Sequence, residues 1–539
     1  MCGIFFYTLG GRVSDLATVK RCVDALEARG PEGSKMLTVE GYGTFGFTRL
    51  AINGLNEFAM QPMTQEDRTW VCNGEIYNWS ALAEKHDLRT DTGSDCEILG
   101  GLYEKFCHSG ISLDAFFNEL DGVFAMVIVD EGRQQCVVAR DPYGVRPLYR
   151  GVCRDTGRPV FASEIKGLLP FCEDVQAFPP GHYQILHMLG GDLYSMDAPK
   201  AYHKIPMVKQ PYFHNENAAV AAVRDALVRA VDKRVANTSR EIGCLLSGGL
   251  DSSLVAALVA KRLKQELRPS LRTYSIGMEG SPDLLHARMV SEHIGSIHTE
   301  VFVTARDLFD AVPEVIRAIE SYDTTTVRAS VPNYLLGKII RETSDCKVIF
   351  NGDGSDEAWG SYLYFNGAPS DAAFEDECCR LLGDIHMFDV LRSDRSMASH
   401  GLEARTPYLD KEFVATALGI PTQLRRPFPN GLCEKWLLRK AFDDGTLPEK
   451  VLWRRKEAFS DGVSGEKSWY ESAKEMARTL LGDGWANEYS DSKTAEQAYY
   501  KRCYMEAYGA VGLHTNVPYF WMPRWTGATD PSARTLSIY

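Results

Sequence analysis

The segment Gly243–Ser253, which reads GCLLSGGLDSS, constrains the fold of this chain more than any other feature. The short apolar run Ile242–Leu246 is typical of a buried strand, and the pattern of Ser252–Leu263 predicts a helix that starts directly after a Ser-Gly-Gly turn. Such a turn presents backbone N–H groups and the positive end of a helix to an anion. The lysine of a Walker A loop and the G-x-G-x-x-G dinucleotide pattern are both missing. The segment therefore predicts a phosphate-binding loop of another kind, in which Asp251 can hold Mg²⁺ against the phosphates.

The alternation of predicted helices and strands around this segment predicts an α/β fold with a parallel sheet. Ala218–Val235 is predicted to be a helix, and Thr273–Ile276 and Lys347–Phe350 are predicted to be strands. The last third is predicted to be mainly helical. The first part, to about residue 200, is instead rich in strand patterns, among them the unbroken apolar run Val123–Val129 and its predicted partner Cys136–Ala139.

Length and composition predict two domains in a reducing, aqueous compartment. A chain of 539 residues exceeds one ordinary core, and residues of about 195–216 lack periodicity, so we predict domains at 2–195 and 215–539. The net charge of −13 and the lack of long basic runs argue against nucleic acid and anionic membranes as partners. The 14 cysteines contain no CxxC pair, and no secretory signal or span of about 18 apolar residues is visible. We therefore expect a cytoplasmic protein, and the sequence permits a homodimer without requiring one.

The second residue, Cys2, is a candidate nucleophile. If Met1 is removed, Cys2 carries a thiol and a free amine, whose pKa of about 8 lets it accept the thiol proton near neutral pH. An accidental cysteine explains this position equally well when it is considered alone.

Three further features of the first domain could serve a reaction at Cys2. Arg49 could bind a carboxylate through its forked guanidinium, and Asp95 could bind an ammonium group. Asn73 and the backbone N–H of Gly74 could form an oxyanion hole. Each has an ordinary alternative, because Asn-Gly is a common hairpin turn and single charged residues are mostly solvated.

Taken together, these residues belong to a pattern of seven segments that resembles a known family. In order and spacing, the segments resemble the glutaminase domain of N-terminal-nucleophile (class II) glutamine amidotransferases: MCGI, RGPEG, RLAI, CNGEIYN, TGSDCE, RDPYGVRPLY and FASEIKGL. The resemblance implies an αββα sandwich, with Cys2 as nucleophile and base carrier and with Asn73 and Gly74 as oxyanion donors. It implies that glutamine is bound by Arg49, Leu50, Ala51, Ile52, Asn53, Asn73, Gly74, Glu75 and Asp95. Where this family usually has His-Arg-Gly-Pro-Asp, this chain has Ala28 and Glu32 in the first and last places, which we interpret as a changed pocket lining.

The loop Ser247–Ser253 resembles the SGGxDS loop of ATP pyrophosphatases, which cleave ATP between the α- and β-phosphates. The acidic segment Val348–Glu357 follows a second predicted strand and has a similar design. Further segments, including TTTVRAS and DRSMASHGLEARTPYLDKEF, resemble the glutamine-hydrolysing asparagine synthetase family over about residues 2–465. This resemblance implies ATP contacts at Leu245, Ser247, Gly248, Gly249, Asp251, Ser252, Ile276, Asn351 and Gly352. It implies that Mg²⁺ and pyrophosphate engage Ser247, Asp251 and Asp356, and that Arg328 and Lys456 stabilise charge at the reacting phosphorus.

The resemblance also implies a reaction and its substrates: L-glutamine, L-aspartate and ATP. Ammonia released at Cys2 would pass between the domains to β-aspartyl-AMP, with AMP and pyrophosphate as products. Asp353 stands where the family has Glu, and Asn351 where it has Ser, so formation of the acyl-adenylate could be slower. Two alternatives remain open at this point: an enzyme that activates another acid, such as a β-lactam synthetase, and a non-catalytic descendant.

Overall fold

Three β-sheets organise the chain in the computed structural model, which describes residues 1–8, 16–189, 192–206, 213, 215–426, 431–456, 459–465 and 468–532. The strands are β1 (Gly3–Thr8), β2 (Ser34–Val39), β3 (Gly43–Thr48), β4 (Met63–Gln65), β5 (Arg68–Ile76), β6 (Gly122–Asp130), β7 (Gln135–Arg140), β8 (Tyr149–Cys153), β9 (Pro159–Ala162), β10 (Cys172–Ala177), β11 (His182–Leu189), β12 (Asp192–Met196), β13 (Lys200–Ala201), β14 (Ile242–Leu245), β15 (Arg272–Gly277), β16 (Ile297–Phe302), β17 (Val348–Phe350) and β18 (Glu403–Arg405).

The α-helices separate the sheets and cover their faces. They are α1 (Leu16–Asp24), α2 (Trp79–Lys85), α3 (Ile98–His108), α4 (Leu113–Glu119), α5 (Glu216–Ala236), α6 (Leu250–Gln265), α7 (Pro282–Ile294), α8 (Ala305–Asp310), α9 (Val312–Ile319), α10 (Thr324–Thr343), α11 (Ser355–Trp359), α12 (Asp371–Asp384), α13 (Asp389–Ala398), α14 (Lys411–Gly419), α15 (Thr422–Arg425), α16 (Trp436–Ala441), α17 (Glu449–Leu452), α18 (Phe459–Gly462), α19 (Trp469–Leu481), α20 (Trp485–Glu488) and α21 (Ala495–Tyr508). No helix among the described residues is long and apolar enough to cross a membrane.

The N-terminal part, residues 1–201, contains two antiparallel sheets that pack face to face. Their strand orders are β10-β8-β9-β1-β3-β2 and β12-β11-β7-β6-β5-β4, with β13 paired to β11. Phe6 and Phe47 of the first sheet share one buried cluster with Val71 and Val127 of the second. Helix α1 covers the outer face of the first sheet, and α3 and α4 cover that of the second. This is the predicted αββα sandwich, and it places Cys2 at the start of a central strand.

The C-terminal part, residues 216–532, is built on a parallel sheet with the strand order β16-β15-β14-β17-β18. Helices lie on both faces: α5 and α6 pack with β14 and β17 in one cluster, and α10 packs with β15 and β17 in another. The carboxyl ends of parallel strands form the edge at which open α/β sheets bind ligands. The predicted phosphate-binding loop follows β14, the central strand.

The predicted elements of both parts are confirmed, with boundaries shifted by one or two residues. The run Val123–Val129 lies within β6, and Cys136–Ala139 lies within β7, its antiparallel neighbour. The predicted helix Ala218–Val235 lies within α5. Of the predicted linker, residues 207–212 and 214 lie outside the described residues, and the domain boundaries stay a prediction.

Candidate active sites

Cys2 lies beside a small cavity of about 30 Å³ in the N-terminal part. Its backbone N–H donates to Oδ1 of Asn73 at 3.0 Å, and its Sγ lies 3.6 Å from the carbonyl oxygen of Leu50. Burial raises the pKa of the Cys2 thiol to about 11, and burial also lowers the pKa of the Met1 amine to about 6. With Met1 attached, the thiol is therefore protonated at neutral pH.

Asn73 and Gly74 lie on β5, next to Cys2. The Asn73 side chain is fully buried, and its Nδ2 has no hydrogen-bond partner among the described residues. This amide group can therefore donate a hydrogen bond to a bound ligand. Only glycine fits at position 74, because a Cβ there would lie 2.3 Å from the carbonyl oxygen of Val123 on the neighbouring strand. The pair thus has the chemistry of an oxyanion hole.

The predicted glutamine-binding residues line this cavity, except Asn73, which contacts Cys2 directly: these are Arg49, Leu50, Ala51, Ile52, Asn53, Gly74, Glu75 and Asp95. The carboxylate of Asp95 accepts a hydrogen bond from the Ile76 N–H at 2.6 Å, and burial raises its pKa to about 6. The guanidinium of Arg49 donates to the carbonyl oxygens of Gly54 and Asn56, the latter at 2.8 Å. Arg49 is therefore anchored to its own loop.

A second, larger cavity of about 270 Å³ lies at the carboxyl ends of β14, β15 and β17. The structure brings together there all but one of the residues predicted for ATP, metal and charge stabilisation: Leu245, Ser247, Gly249, Asp251, Ser252, Ile276, Arg328, Asn351, Gly352, Asp353, Asp356 and Lys456. The exception, Gly248, packs against α7 with a φ of +71°, and a Cβ there would lie 2.5 Å from the Ala287 nitrogen.

Lysine side chains organise the acidic groups of this second cavity. Nζ of Lys435 lies 2.6 Å from Asp251 and 2.7 Å from Asp356, and Nζ of Lys456 lies 2.6 Å from the other oxygen of Asp356. Burial alone would raise the pKa of Asp356, but the two ammonium groups hold it well below its ordinary value. Asp356 is therefore ionised at neutral pH.

Two predicted site residues, Arg328 and Asp353, are bound by residues that the sequence did not indicate. Arg328 donates to Glu496 and to Asp530, both at 2.8 Å, so the C-terminal segment neutralises it. Arg392 donates to Asp353 and forms an ion pair with Asp389 at 2.8 Å. Burial raises the pKa of Asp353. Lys435 and Arg392 are site residues that sequence reasoning missed, because neither stands in a motif that we singled out for charge.

Sequence comparison finds a known protein family for each of the two parts of the chain. The sequence model of the glutamine amidotransferase domain matches residues 1–192, and that of asparagine synthase matches residues 222–372 and 366–509. The glutamine-hydrolyzing asparagine synthetases of Gallus gallus and Homo sapiens are each 41% identical to this chain, and that of Bos taurus is 42% identical. Each alignment covers 100% of this chain and 99% of the relative. This chain belongs to the asparagine synthase family.

We interpreted Ala28 and Glu32, the two departures from the usual His-Arg-Gly-Pro-Asp segment, as a changed lining of the pocket. This interpretation was wrong, because the structure places both residues outside the cavity lining. Ala28 is exposed, and neither it nor Glu32 lines the cavity. Glu32 acts from behind the lining, since its carboxylate accepts a hydrogen bond from the Ala51 N–H at 2.8 Å. The shared Arg29 donates to the Cys2 carbonyl oxygen at 2.9 Å and to Asp394 at 2.8 Å.

Proposed function

We propose that this chain synthesises L-asparagine from L-aspartate, with ammonia taken from L-glutamine and with ATP converted to AMP and pyrophosphate. The observation that carries the proposal is that one chain contains both a built cysteine site and a built phosphate-binding cavity, and that it aligns over its whole length with glutamine-hydrolyzing asparagine synthetases. The proposed parts are residues 2–195 for glutamine hydrolysis and residues 215–539 for synthesis. The cytoplasm is the proposed compartment, a choice supported by the free thiols of all 14 cysteines.

The first reaction uses a base that Cys2 itself provides. When Met1 is removed, the nitrogen that donates to Asn73 becomes a free amine on the same residue as the thiol. Sγ then attacks the side-chain carbonyl carbon of glutamine, and the oxyanion accepts hydrogen bonds from Asn73 Nδ2 and the Gly74 N–H. Ammonia leaves with the thiol proton, and water hydrolyses the thioester to glutamate.

The second reaction activates aspartate. A β-carboxylate oxygen attacks the α-phosphorus of ATP, the bond to the β-phosphate oxygen breaks, and pyrophosphate leaves. Ser247 and the N–H groups at the start of α6 would bind the phosphates, and Lys435 and Lys456 would offset the developing negative charge. Ammonia attacks the acyl carbon of β-aspartyl-AMP, and AMP departs.

The carboxylates of Asp251 and Asp356 fit Mg²⁺, because hard cations prefer oxygen ligands and a positive group already lies between them, the ammonium of Lys435. The described residues contain no group of three or more His, Cys, Asp or Glu that could hold a metal ion by itself. Asp251 and Asp356 are the residues that would hold the ion, and it would supply positive charge that offsets the negative charge of the phosphates.

A route for ammonia between the sites is supported by one apolar cluster. Met1, the neighbour of Cys2, packs in the same buried cluster as Ala404 and Ile349, and this cluster reaches Ile276 in the wall of the second cavity. Removal of the Met1 side chain would vacate space at the Cys2 end of this cluster. Apolar surroundings keep ammonia unprotonated and keep water away from the adenylate.

Substitution of Cys2 tests the two-site proposal. We expect Cys2→Ala to abolish glutamine-dependent asparagine formation while synthesis from added ammonium persists, with the product followed by NMR. Cys107→Ala, at a half-buried cysteine outside both cavities, serves as the matched control and keeps both activities. Loss of both activities in Cys2→Ala, or Met1 still attached in active enzyme by mass spectrometry, would contradict the proposal.

A further inference from the structure

Residues of the C-terminal part hold the loop that lines the glutamine cavity of the N-terminal part. The segment Asn237–Glu241 connects α5 to β14, and it lies against the loop Arg49–Asn53. The Ser239 N–H donates to the Ile52 carbonyl oxygen at 3.2 Å, and Nε of Arg240 donates to the Ala51 carbonyl oxygen at 2.6 Å. Two consecutive residues of the glutamine loop are therefore held by the other part of the chain.

Arg240 also holds this loop through Glu32. Its Nη2 lies 2.7 and 2.8 Å from the two carboxylate oxygens of Glu32, and the same carboxylate accepts the Ala51 N–H at 2.8 Å. Arg240 and Glu32 thus clamp both backbone polar groups of Ala51. Both side chains are only partly exposed, 26% and 29%, so solvent weakens this pair less than an open surface pair.

Asn237 fixes two further residues of the cavity lining. Its Nδ2 donates to Oε2 of Glu75 at 2.7 Å, and its Oδ1 accepts from the Trp79 indole at 3.1 Å. The Asn237 carbonyl oxygen accepts from Asn53 at 3.3 Å, and Asn53 itself donates to Glu75 at 2.9 Å. One buried asparagine of the C-terminal part therefore orients two cavity residues, Asn53 and Glu75.

We propose that Arg240 and Asn237 are positioning residues for glutamine that the synthetase part supplies to the glutaminase part. The inference rests on the proposed function and deepens it. Neither side chain lines the cavity, so neither touches the substrate; each acts by fixing groups that do. Such preorganisation affects substrate binding more than the chemistry at Cys2 and Asn73.

The test measures glutamine hydrolysis and ammonium-dependent synthesis separately on the full-length enzyme. We expect Arg240→Ala to raise KM for glutamine about tenfold while kcat changes less than about threefold. Ammonium-dependent synthesis stays within about twofold of wild type. Asn237→Ala should raise KM in the same direction, and Arg240→Lys, which keeps the charge but loses the forked contact, should fall between wild type and Arg240→Ala.

The matched control is Arg229→Ala, which removes an exposed bidentate ion pair between Arg229 of α5 and Glu412 of α14, away from both cavities. It should leave KM for glutamine within twofold of wild type. An unchanged KM in Arg240→Ala, or an equal loss of both activities, would overturn the inference while leaving the proposed function intact. A wild-type enzyme that releases no ammonia from glutamine would overturn the proposed function and this inference with it.

Discussion

Arg328 and Asp530 form a buried ion pair in which Nη1 of the arginine lies 2.8 Å from Oδ1 of the aspartate. Glu496 binds the same guanidinium, and Lys474 binds the second oxygen of Asp530 at 2.6 Å. If Arg328 stabilises charge at the reacting phosphorus, as the family resemblance implies, an anionic substrate must compete with Asp530 for it. The segment just before residue 532 therefore takes part in the electrostatics of the synthetase cavity.

Removal of the Asp530 charge tests this competition. We expect Asp530→Asn to lower KM for ATP by about three- to tenfold, because a gain of about 1 kcal/mol in the attraction of Arg328 for phosphate corresponds to a factor of about five. Initial rates of pyrophosphate release against ATP concentration measure the change. Asp483→Asn, at a side chain that is 99% exposed, is the control and should have no effect. A KM for ATP that rises would show that Asp530 positions Arg328 rather than competes for it.

Lys435 is expected to be as important for synthesis as the residues that the sequence indicated. Its ammonium bridges Asp251 and Asp356, so Lys435→Met leaves two neighbouring carboxylates at the phosphate loop without their shared cation. We expect the rate of AMP and pyrophosphate formation to fall by at least about 10²-fold, with glutamine hydrolysis unchanged. Lys440→Met, five residues further on and half-exposed, should retain the wild-type rate. A rate of Lys435→Met within tenfold of wild type would be incompatible with this role.

The pKa of Asp95 predicts an acid limit for glutamine use. Burial raises this pKa to about 6, so the carboxylate is ionised above pH 6 and increasingly protonated below it. If ionised Asp95 binds the glutamine ammonium group, kcat/KM for glutamine should fall about tenfold per pH unit below that value. Asp95→Asn should lower kcat/KM and remove this inflection, whereas Asp91→Asn, at an exposed aspartate, should keep it. A profile that stays flat down to about pH 5 would argue against the assignment.

Local sequence patterns predicted much of the fold and many of the residues that line both cavities. β6 and β14 were predictable because strands buried on both faces must be continuously apolar. The strand β18, Glu403–Arg405, was not, because two of its three residues are charged and yet buried. They are tolerated there by ion pairs with Glu75 and Arg146, which are distant in sequence.

The same reason explains the missed site residues. Apart from the local pair of Arg392 with Asp389, the partners of Lys435, Arg392 and Asn237 are at least 39 residues away in the sequence. No periodicity or short motif records such pairings, because only the tertiary fold brings them together. Arg49 shows the converse case, since its position was predicted but its guanidinium is bound by its own loop.

Asp353, which by resemblance stands where the family has Glu, provides a test of its proposed role in adenylate formation. Its carboxylate is held by Arg392, which Asp389 also binds, and a glutamate at this position would extend the carboxylate by about 1.5 Å into the cavity. We expect Asp353→Glu to raise, or at least not lower, the rate of pyrophosphate release from aspartate and ATP, with a gain of up to about tenfold. Asp376→Glu, at an exposed aspartate of α12, controls for the added methylene. A loss of more than twofold in Asp353→Glu would mean that Arg392 and its neighbours are built around the shorter side chain, and that adenylate formation here depends on Asp353 as it stands.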